Sequence, residues 1–514
     1  MKTDLVKTIS IDGESLTLED VELVAKNKTK VEISKDAVEK INTSRKFVEE
    51  VISEGIHVYG INTGFGALSN IIIPDDQIEN LQLNLIRSHA CGVGKPHSEE
   101  VTRAIILLRA NTLAKGYSGI RLETINTMLE LLNKGVHPVI PSQGSVGASG
   151  DLVPLAHLAL VLVGEGKAVY NGQVMTGSEA LNRAGIKPIV LGAKEGLALT
   201  NGTQSMCGMA TLRLLEAERL VKIADIAGAM TLEAIRGTSK AFDPKIQNLR
   251  KHPGQITTAK NLLKLLADSE VMLSHNDCGK IQDPYSVRCM PQVHGATRDT
   301  LNYVRKVLEI EVNSATDNPL IFAEEKETIS GGNFHGQPLA LAMDFLGIAV
   351  SELANISERR IDKLIAPAFS DLPPFLTKDS GINSGLMIVQ YTAASLVSEN
   401  KILSHPASVD SIPTSLDKED HVSMGATAAL KAEKIIQNTR NVLAIELLTA
   451  YQGINFLKPL SPGIGVKIAH ETIGRTIPEI SQDRVFSDDI HKIAEMIDSN
   501  EILDRVQEVI GEFE

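Results

Sequence analysis

From about residue 200 onward, apolar residues recur at helical spacing over long stretches, and nothing constrains the fold of this chain more. The stretches run near 203–239, 256–274, 297–313, 337–366, 384–403, 419–453 and 488–513. Several exceed the roughly 8–20 residues of an ordinary globular helix. A helix with an apolar stripe of that length has to bury it against another element. Charges such as Glu358-Arg359-Arg360 and Asp362-Lys363 interrupt the stretches. They therefore do not read as membrane spans, which need about 18 or more consecutive apolar residues. Long antiparallel helices that bury one another meet the requirement. Pro367 stops the stretch 337–366.

The first 200 residues read differently. Thr8-Ile9-Ser10-Ile11 runs into Asp12-Gly13 as a short strand and turn. Ser34 is placed to cap a helix whose face is Ala37, Ile41, Phe47, Val48, Val51 and Ile52, with Gly55 beyond its end. Helices are expected near 76–90, 98–115 and 120–134, the last ended by Gly135. Asn171-Gly172 between Val169-Tyr170 and Gln173-Val174 signals a hairpin with a type I′ turn. The expected class is mainly α: a long central helix bundle with a smaller mixed N-terminal active-site region. Residues 1–200 form that region and 201–514 the bundle and C-terminal part.

Charge and composition narrow the partners. Lys and Arg total 51 against 64 Asp and Glu, a net charge of −13. Such a chain repels phosphate backbones, so nucleic acid is not an expected partner. Trp is absent and aromatics total 4%, which leaves little for base stacking. Met1-Lys2-Thr3-Asp4-Leu5 opens no apolar run of signal-peptide length. With no membrane partner expected, the expected location is cytoplasmic. Cys91, Cys207, Cys278 and Cys289 show no Cys-x-x-Cys spacing and read as reduced thiols.

The chemistry is concentrated in Gly144-Ser145-Val146-Gly147-Ala148-Ser149-Gly150-Asp151, which leads into the apolar Leu152-Val153-Pro154-Leu155-Ala156-His157. A glycine nitrogen can approach other backbone atoms that a bulkier residue keeps away. The Gly150 nitrogen can thus reach back to the carbonyl carbon of Ala148. Loss of water from that ring and from the Ser149 side chain gives an alkene conjugated to an imidazolinone, an electrophile. A glycine-rich turn before a buried helix fits the same residues, so the decision rests on the rest of the chain. Tyr59-Gly60-Ile61-Asn62-Thr63-Gly64-Phe65-Gly66 is a loop, and neither a dinucleotide fingerprint nor a P-loop follows it. Gln282-Asp283-Pro284-Tyr285-Ser286-Val287-Arg288-Cys289 offers Arg288, a natural bidentate partner for a carboxylate. Gly331-Gly332-Asn333-Phe334-His335-Gly336 is a further glycine-rich bend. Glu419-Asp420-His421 lacks metal-ligand spacing. It reads as acids at a helix N-terminus, and no metal is expected.

Taken together, these segments resemble the aromatic amino acid ammonia-lyases, and within them the histidine-type members. The matching blocks are 59–66, 87–94, 144–157, 195–204, 282–295, 331–338 and 404–424, spread over nearly the whole chain. The resemblance implies a homotetramer with each active site built from more than one subunit. It implies that Ala148-Ser149-Gly150 matures unaided into the prosthetic group MIO (4-methylidene-imidazole-5-one), with no external cofactor. The implied reaction eliminates ammonia from L-histidine to give urocanate, the first step of histidine degradation. Met290 stands where many relatives have Gln, and Leu416 where Ala is more usual.

Roles follow from the same resemblance. Asn201 hydrogen-bonds the electrophile, although a helix N-cap also accounts for it. Arg288 clamps the carboxylate, with Gln282 and Tyr285 beside it, while Phe334 and Met387 line the pocket. Tyr59 is the candidate base for the β-proton, with Tyr285 competing and a capped buried hydroxyl as the plain reading. A free tyrosine ionises near pH 10, so a base acting at pH 7 asks for about three units, roughly 4 kcal/mol. His89, in Ser88-His89, and Glu419 together hydrogen-bond an imidazole. A phenyl ring leaves them unpaired, at about 1–3 kcal/mol per group. The alternatives are a tyrosine or phenylalanine ammonia-lyase or aminomutase of the same family, and a helical scaffold without catalysis.

Overall fold

The computed structural model describes residues 8–64, 66, 71–275 and 281–513. Phe65 and Cys278 lie outside them. Among the described residues there are twenty-one α-helices and nine strands, no strand longer than four residues, so the strands act as connectors in a mainly α chain. Two compact units are found. The first comprises residues 1–213, 305–344 and 406–430, and the second 214–304, 345–405 and 431–514.

The centre of the first unit is the helix Glu99–Ala114, capped by Ser98 and buried along its length. It packs against Leu18–Asn27 and Leu122–Lys134. Arg103, 1% exposed, donates to the carbonyls of Val24 and Leu132 in the last turns of those two helices. Helix C-termini hold unpaired carbonyls and partial negative charge, which suits a buried guanidinium. The helix Lys35–Ser53 starts at Ser34, whose hydroxyl accepts from the Ala37 N–H, and ends before Gly55 at φ +67°. Asn171 and Gly172 both take positive φ and join Lys167–Tyr170 to Gln173–Thr176, with Tyr170 opposite Gln173. These local signals were sufficient in the sequence.

In the second unit, buried ion pairs tie the long helices together. Asp225 accepts from His294 Nδ1 (2.8 Å), Arg298 Nη2 (2.5 Å) and Asn261 Nδ2 (3.0 Å). Glu446 accepts from Arg360, Thr231 and Ser357. Arg360 Nη1 faces His294 Nε2 at 3.2 Å. The guanidinium only donates, so His294 accepts at Nε2 and carries its proton at Nδ1. Burial, which lowers the His294 pKa, agrees with a neutral ring. Removing one partner from such a pair leaves an uncompensated buried charge, at a cost of about 3–5 kcal/mol.

Three expected elements differ. The stretch 256–274 is two helices, Pro253–Leu265 and Glu270–Leu273, broken at Asp268 with φ +59°. The stretch 488–513 is likewise Phe486–Asp498 and Glu501–Ile510, with Asn500 left-handed between them. The helix expected from 419 begins only at Gly425. Glu419 instead pairs with Thr414 across a tight loop, because its carboxylate is taken up by side-chain hydroxyls. Gln337–Ile365 is long and apolar enough to cross a membrane by length and composition, but 67% of its most apolar window is buried in protein.

Candidate active site

In the first unit the helices Ile78–His89, Val153–Leu162 and Glu195–Thr200 pack on one another, and their ends carry the expected residues. Ala148 and Gly150 face each other as a bridge, so the chain doubles back at Ser149. Gly150 also pairs in parallel with Gly202, and the Asp151 N–H donates to the Gly202 carbonyl at 2.7 Å. Gly150 has φ +73°, and a Cβ there would stand 2.1 Å from the Gly202 oxygen. Gly147, at φ +66°, is as tightly held: a Cβ there would lie 2.2 Å from Ser423 Oγ. Ala148 is packed with Val422 and Met424. The doubled-back turn, the small residue at 148 and a glycine at 150 are what closure of Gly150 N onto the Ala148 carbonyl requires, so the residues present fit the prosthetic group that the resemblance implies.

Gly150→Ala is expected to fail at this point. The left-handed backbone alone costs a non-glycine residue about 1–3 kcal/mol, and the contact with Gly202 adds to it. Intact mass is expected to equal that of the untransformed sequence, with a lowered melting temperature. A variant lighter by two waters and as stable as the parent would refute the role of this contact.

Two buried ions support the turn, and the sequence did not single them out. Asp151, fully buried, accepts from the N–H groups of Ser205 (2.6 Å) and Met206 (3.3 Å) and so caps the helix Gln204–Ala234 from 54 residues away. Burial pushes its carboxyl up to about 7, opposed by those N–H groups and by Arg109. Arg109, also fully buried, donates to the carbonyls of Asn201 (2.9 Å) and Ala198 and to Gln204 Oε1 (2.6 Å). Burial pulls it down to about 10, which leaves it charged at neutral pH. An Arg directly after Ile105-Ile106-Leu107-Leu108 and before Leu113 was the available signal. Asn201 is not an N-cap: it closes the C-terminus of Glu195–Thr200. Its side chain donates to the Asn318 carbonyl at 3.0 Å.

Glu419 meets Ser149, and its charge reaches His89. Ser149 Oγ donates to Glu419 Oε1 at 3.0 Å, and Thr414 Oγ1 to Oε2 at 2.7 Å. Burial lowers the His89 pKa, and the charge of Glu419 opposes the shift. Ser88 Oγ donates to the Leu85 carbonyl at 2.9 Å and lies 3.1 Å from His89 Nδ1. The hydroxyl has one hydrogen, so Nδ1 donates to it and Nε2 is left as an acceptor. Phe334 is half-buried in a bend whose next residue, His335, meets the His421 carbonyl at 3.2 Å. Tyr59, half-buried, accepts from the Gly66 N–H at 3.4 Å and lines a cavity of about 430 Å³ with Pro319 and Val58.

Gln282, Tyr285, Arg288 and Met387 belong to the second unit. Gln282 and Tyr285 are exposed, and the Arg288 guanidinium lies 4.6 Å from the centre of the Tyr285 ring. The Ser286 carbonyl accepts from the buried Arg360 at 3.5 Å, which anchors this turn to the ion-pair network. Met387 is half-buried at the first position of the helix Met387–Leu403. Among the described residues no three His, Cys, Asp or Glu side chains are grouped to hold a metal ion.

Comparison with known proteins gives the family. Residues 16–475 match the aromatic amino acid lyase family. A histidine ammonia-lyase of Alkaliphilus oremlandii is 54% identical over 98% of this chain and 99% of its own length. The crystal structure of histidine ammonia-lyase from Trypanosoma cruzi superposes with a TM-score of 0.91 at 43% identity, over 98% of this chain and 95% of that one. A tyrosine aminomutase from Streptomyces globisporus superposes with a TM-score of 0.93 at 37% identity, over 98% and 99%. With most of its length matched and the doubled-back Ala-Ser-Gly turn in place, the chain belongs to the aromatic amino acid lyase family.

Proposed function

We propose that this chain eliminates ammonia from L-histidine to give trans-urocanate, as a cytoplasmic homotetramer that needs no cofactor from outside. It is a carbon–nitrogen lyase. The observation that carries the choice of substrate is the Glu419 carboxylate held at Ser149, with its charge reaching the His89 ring. Either acceptor, a carboxylate oxygen or Nε2, can take the one N–H that a neutral imidazole offers. MIO, formed from Ala148, Ser149 and Gly150, supplies an electrophile that turns the amine into a better leaving group. Arg288 binds the substrate carboxylate, flanked by Gln282 and Tyr285. Tyr59 Oη takes the proton from the β-carbon. Phe334 and Met387 wall the pocket. A broad groove of about 710 Å³ in the second unit, with Tyr303, Phe345 and Ile348 each more than 40% exposed, suits burial against another copy.

The test is urocanate absorbance on mixing the purified protein with L-histidine, beside tyrosine and phenylalanine. A band from histidine alone is expected. A cinnamate-type product from tyrosine or phenylalanine would retain the chemistry and overturn the reading of His89 and Glu419. β-Amino acid formation would point to an aminomutase. Glu419→Gln is expected to lose about 1.5–3 kcal/mol, roughly 10- to 100-fold in kcat/KM for histidine, since a hydrogen bond to a charged group is lost. An unchanged kcat/KM would remove Glu419 from ring recognition.

A further inference from the structure

Beneath the turn lies a chain of buried polar groups that the reaction as described does not use. Lys194 Nζ donates to Asp317 Oδ2 at 2.7 Å, and both side chains are fully buried. Asp317 Oδ1 accepts from the Asn318 N–H at 2.7 Å and from Asn201 Nδ2 at 3.5 Å. Asn201 Nδ2 also donates to the Asn318 carbonyl at 3.0 Å. Both groups facing the amide here are acceptors, so only its NH2 end can be turned towards them. The other end, Asn201 Oδ1, is buried and has no partner among the described residues, on a residue that is 3% exposed. The parallel bridge between Gly150 and Gly202 sets Ser149 and Asn201 side by side in register.

A buried acceptor left unmet is unfavourable and marks a place kept for a donor. The imidazolinone carbonyl is itself an acceptor and does not satisfy it. The group of an α-amino acid that donates next to the electrophile is its ammonium. We propose that the Lys194–Asp317 ion pair is a positioning device that orients the Asn201 amide, directly and through the Asn318 backbone, so that Oδ1 is offered beside Ser149 to the substrate α-ammonium. This rests on the reading that the substrate is an α-amino acid. A fully buried lysine–carboxylate pair is seldom better for stability than apolar side chains of the same volume, and a fixed hydrogen-bond direction is what this one supplies. The sequence expectation that Asn201 hydrogen-bonds the electrophile is thereby redirected to the substrate.

The experiment separates ammonium binding from everything else. In the Ser149→Ala background, where ligands bind without turnover, calorimetry compares L-histidine with 3-(imidazol-4-yl)propionate, which lacks the ammonium group. Asp317→Asn is expected to reduce the preference for L-histidine by about tenfold or more, the scale of a hydrogen bond to a charged group. The affinity for the propionate is expected to change little. With Ser149 present, the same substitution is expected to raise KM for histidine while inhibition by the propionate stays constant. Should Asp317→Asn fail to fold, Lys194→Met combined with Asp317→Leu removes both charges at similar volume and takes the same measurement. An unchanged preference in either folded variant overturns the proposal. Absence of L-histidine binding when Lys194 and Asp317 are intact would instead overturn the substrate reading beneath it.

Discussion

Ser149→Ala is expected to abolish urocanate formation while leaving the fold in place. Alanine at 149 has no hydroxyl to lose, so the alkene cannot form. The loss in kcat is expected to be on the order of 10³-fold or more, the scale seen when a covalent group is removed from an enzyme. Intact mass gives a second reading: the parent chain is expected to weigh two waters less than its sequence, and the variant not. Stability is expected to change little. Before cyclisation the hydroxyl hydrogen-bonds Glu419 in a half-buried position, and such a bond contributes about 0.5–1.5 kcal/mol, so the variant keeps the fold of the uncyclised chain. Melting temperature therefore separates loss of the electrophile from loss of the fold. A parent chain of full sequence mass would return the molecule to a helical scaffold without catalysis.

What the sequence disclosed, and what it did not, follows from the range of the interactions involved. Ser34, Gly55, Gly135 and Asn171-Gly172 act within a few residues, and each stands where its local pattern put it. Ser149, His89 and Glu419 were legible through resemblance alone, since 270 residues separate the first from the last. Glu419 also shows how a local rule misleads. Acids before an apolar stretch suit a helix start, but the hydroxyls of Thr414 and Ser149 hold this carboxylate in a loop, and the helix waits for Gly425. The supporting ions left no pattern at all. Lys194 meets Asp317 across 123 positions, and Asp151 caps a helix from 54 away. A buried charge and a solvated one look alike in sequence until the packing around them is known. Arg109, set among aliphatic neighbours, is the exception that careful reading could have caught.

Tyr59→Phe is expected to lose roughly 10²- to 10⁴-fold in kcat, the usual worth of a positioned proton-transfer group, with the binding of histidine nearly unchanged. Phenylalanine keeps the ring and gives up only Oη. In the free enzyme that oxygen accepts from the Gly66 N–H at 3.4 Å, a long contact whose loss leaves one backbone donor unmet in a half-buried loop. A small fall in stability is therefore compatible with the role, and the rate is the informative quantity. The comparison that decides is with Tyr285→Phe. Tyr285 is 72% exposed and its ring lies against the Arg288 guanidinium, a placement that suits the proposed carboxylate clamp. Its replacement is expected to raise KM more than it lowers kcat, because the clamp acts on ground state and transition state alike. As the proposed base, Tyr59 acts only as the β-proton departs, so its loss belongs in kcat. Should the two variants show the reverse split, the proton passes to Tyr285 and Tyr59 is left as a wall of the site. A parent-like kcat for both would remove tyrosine from the proton transfer altogether.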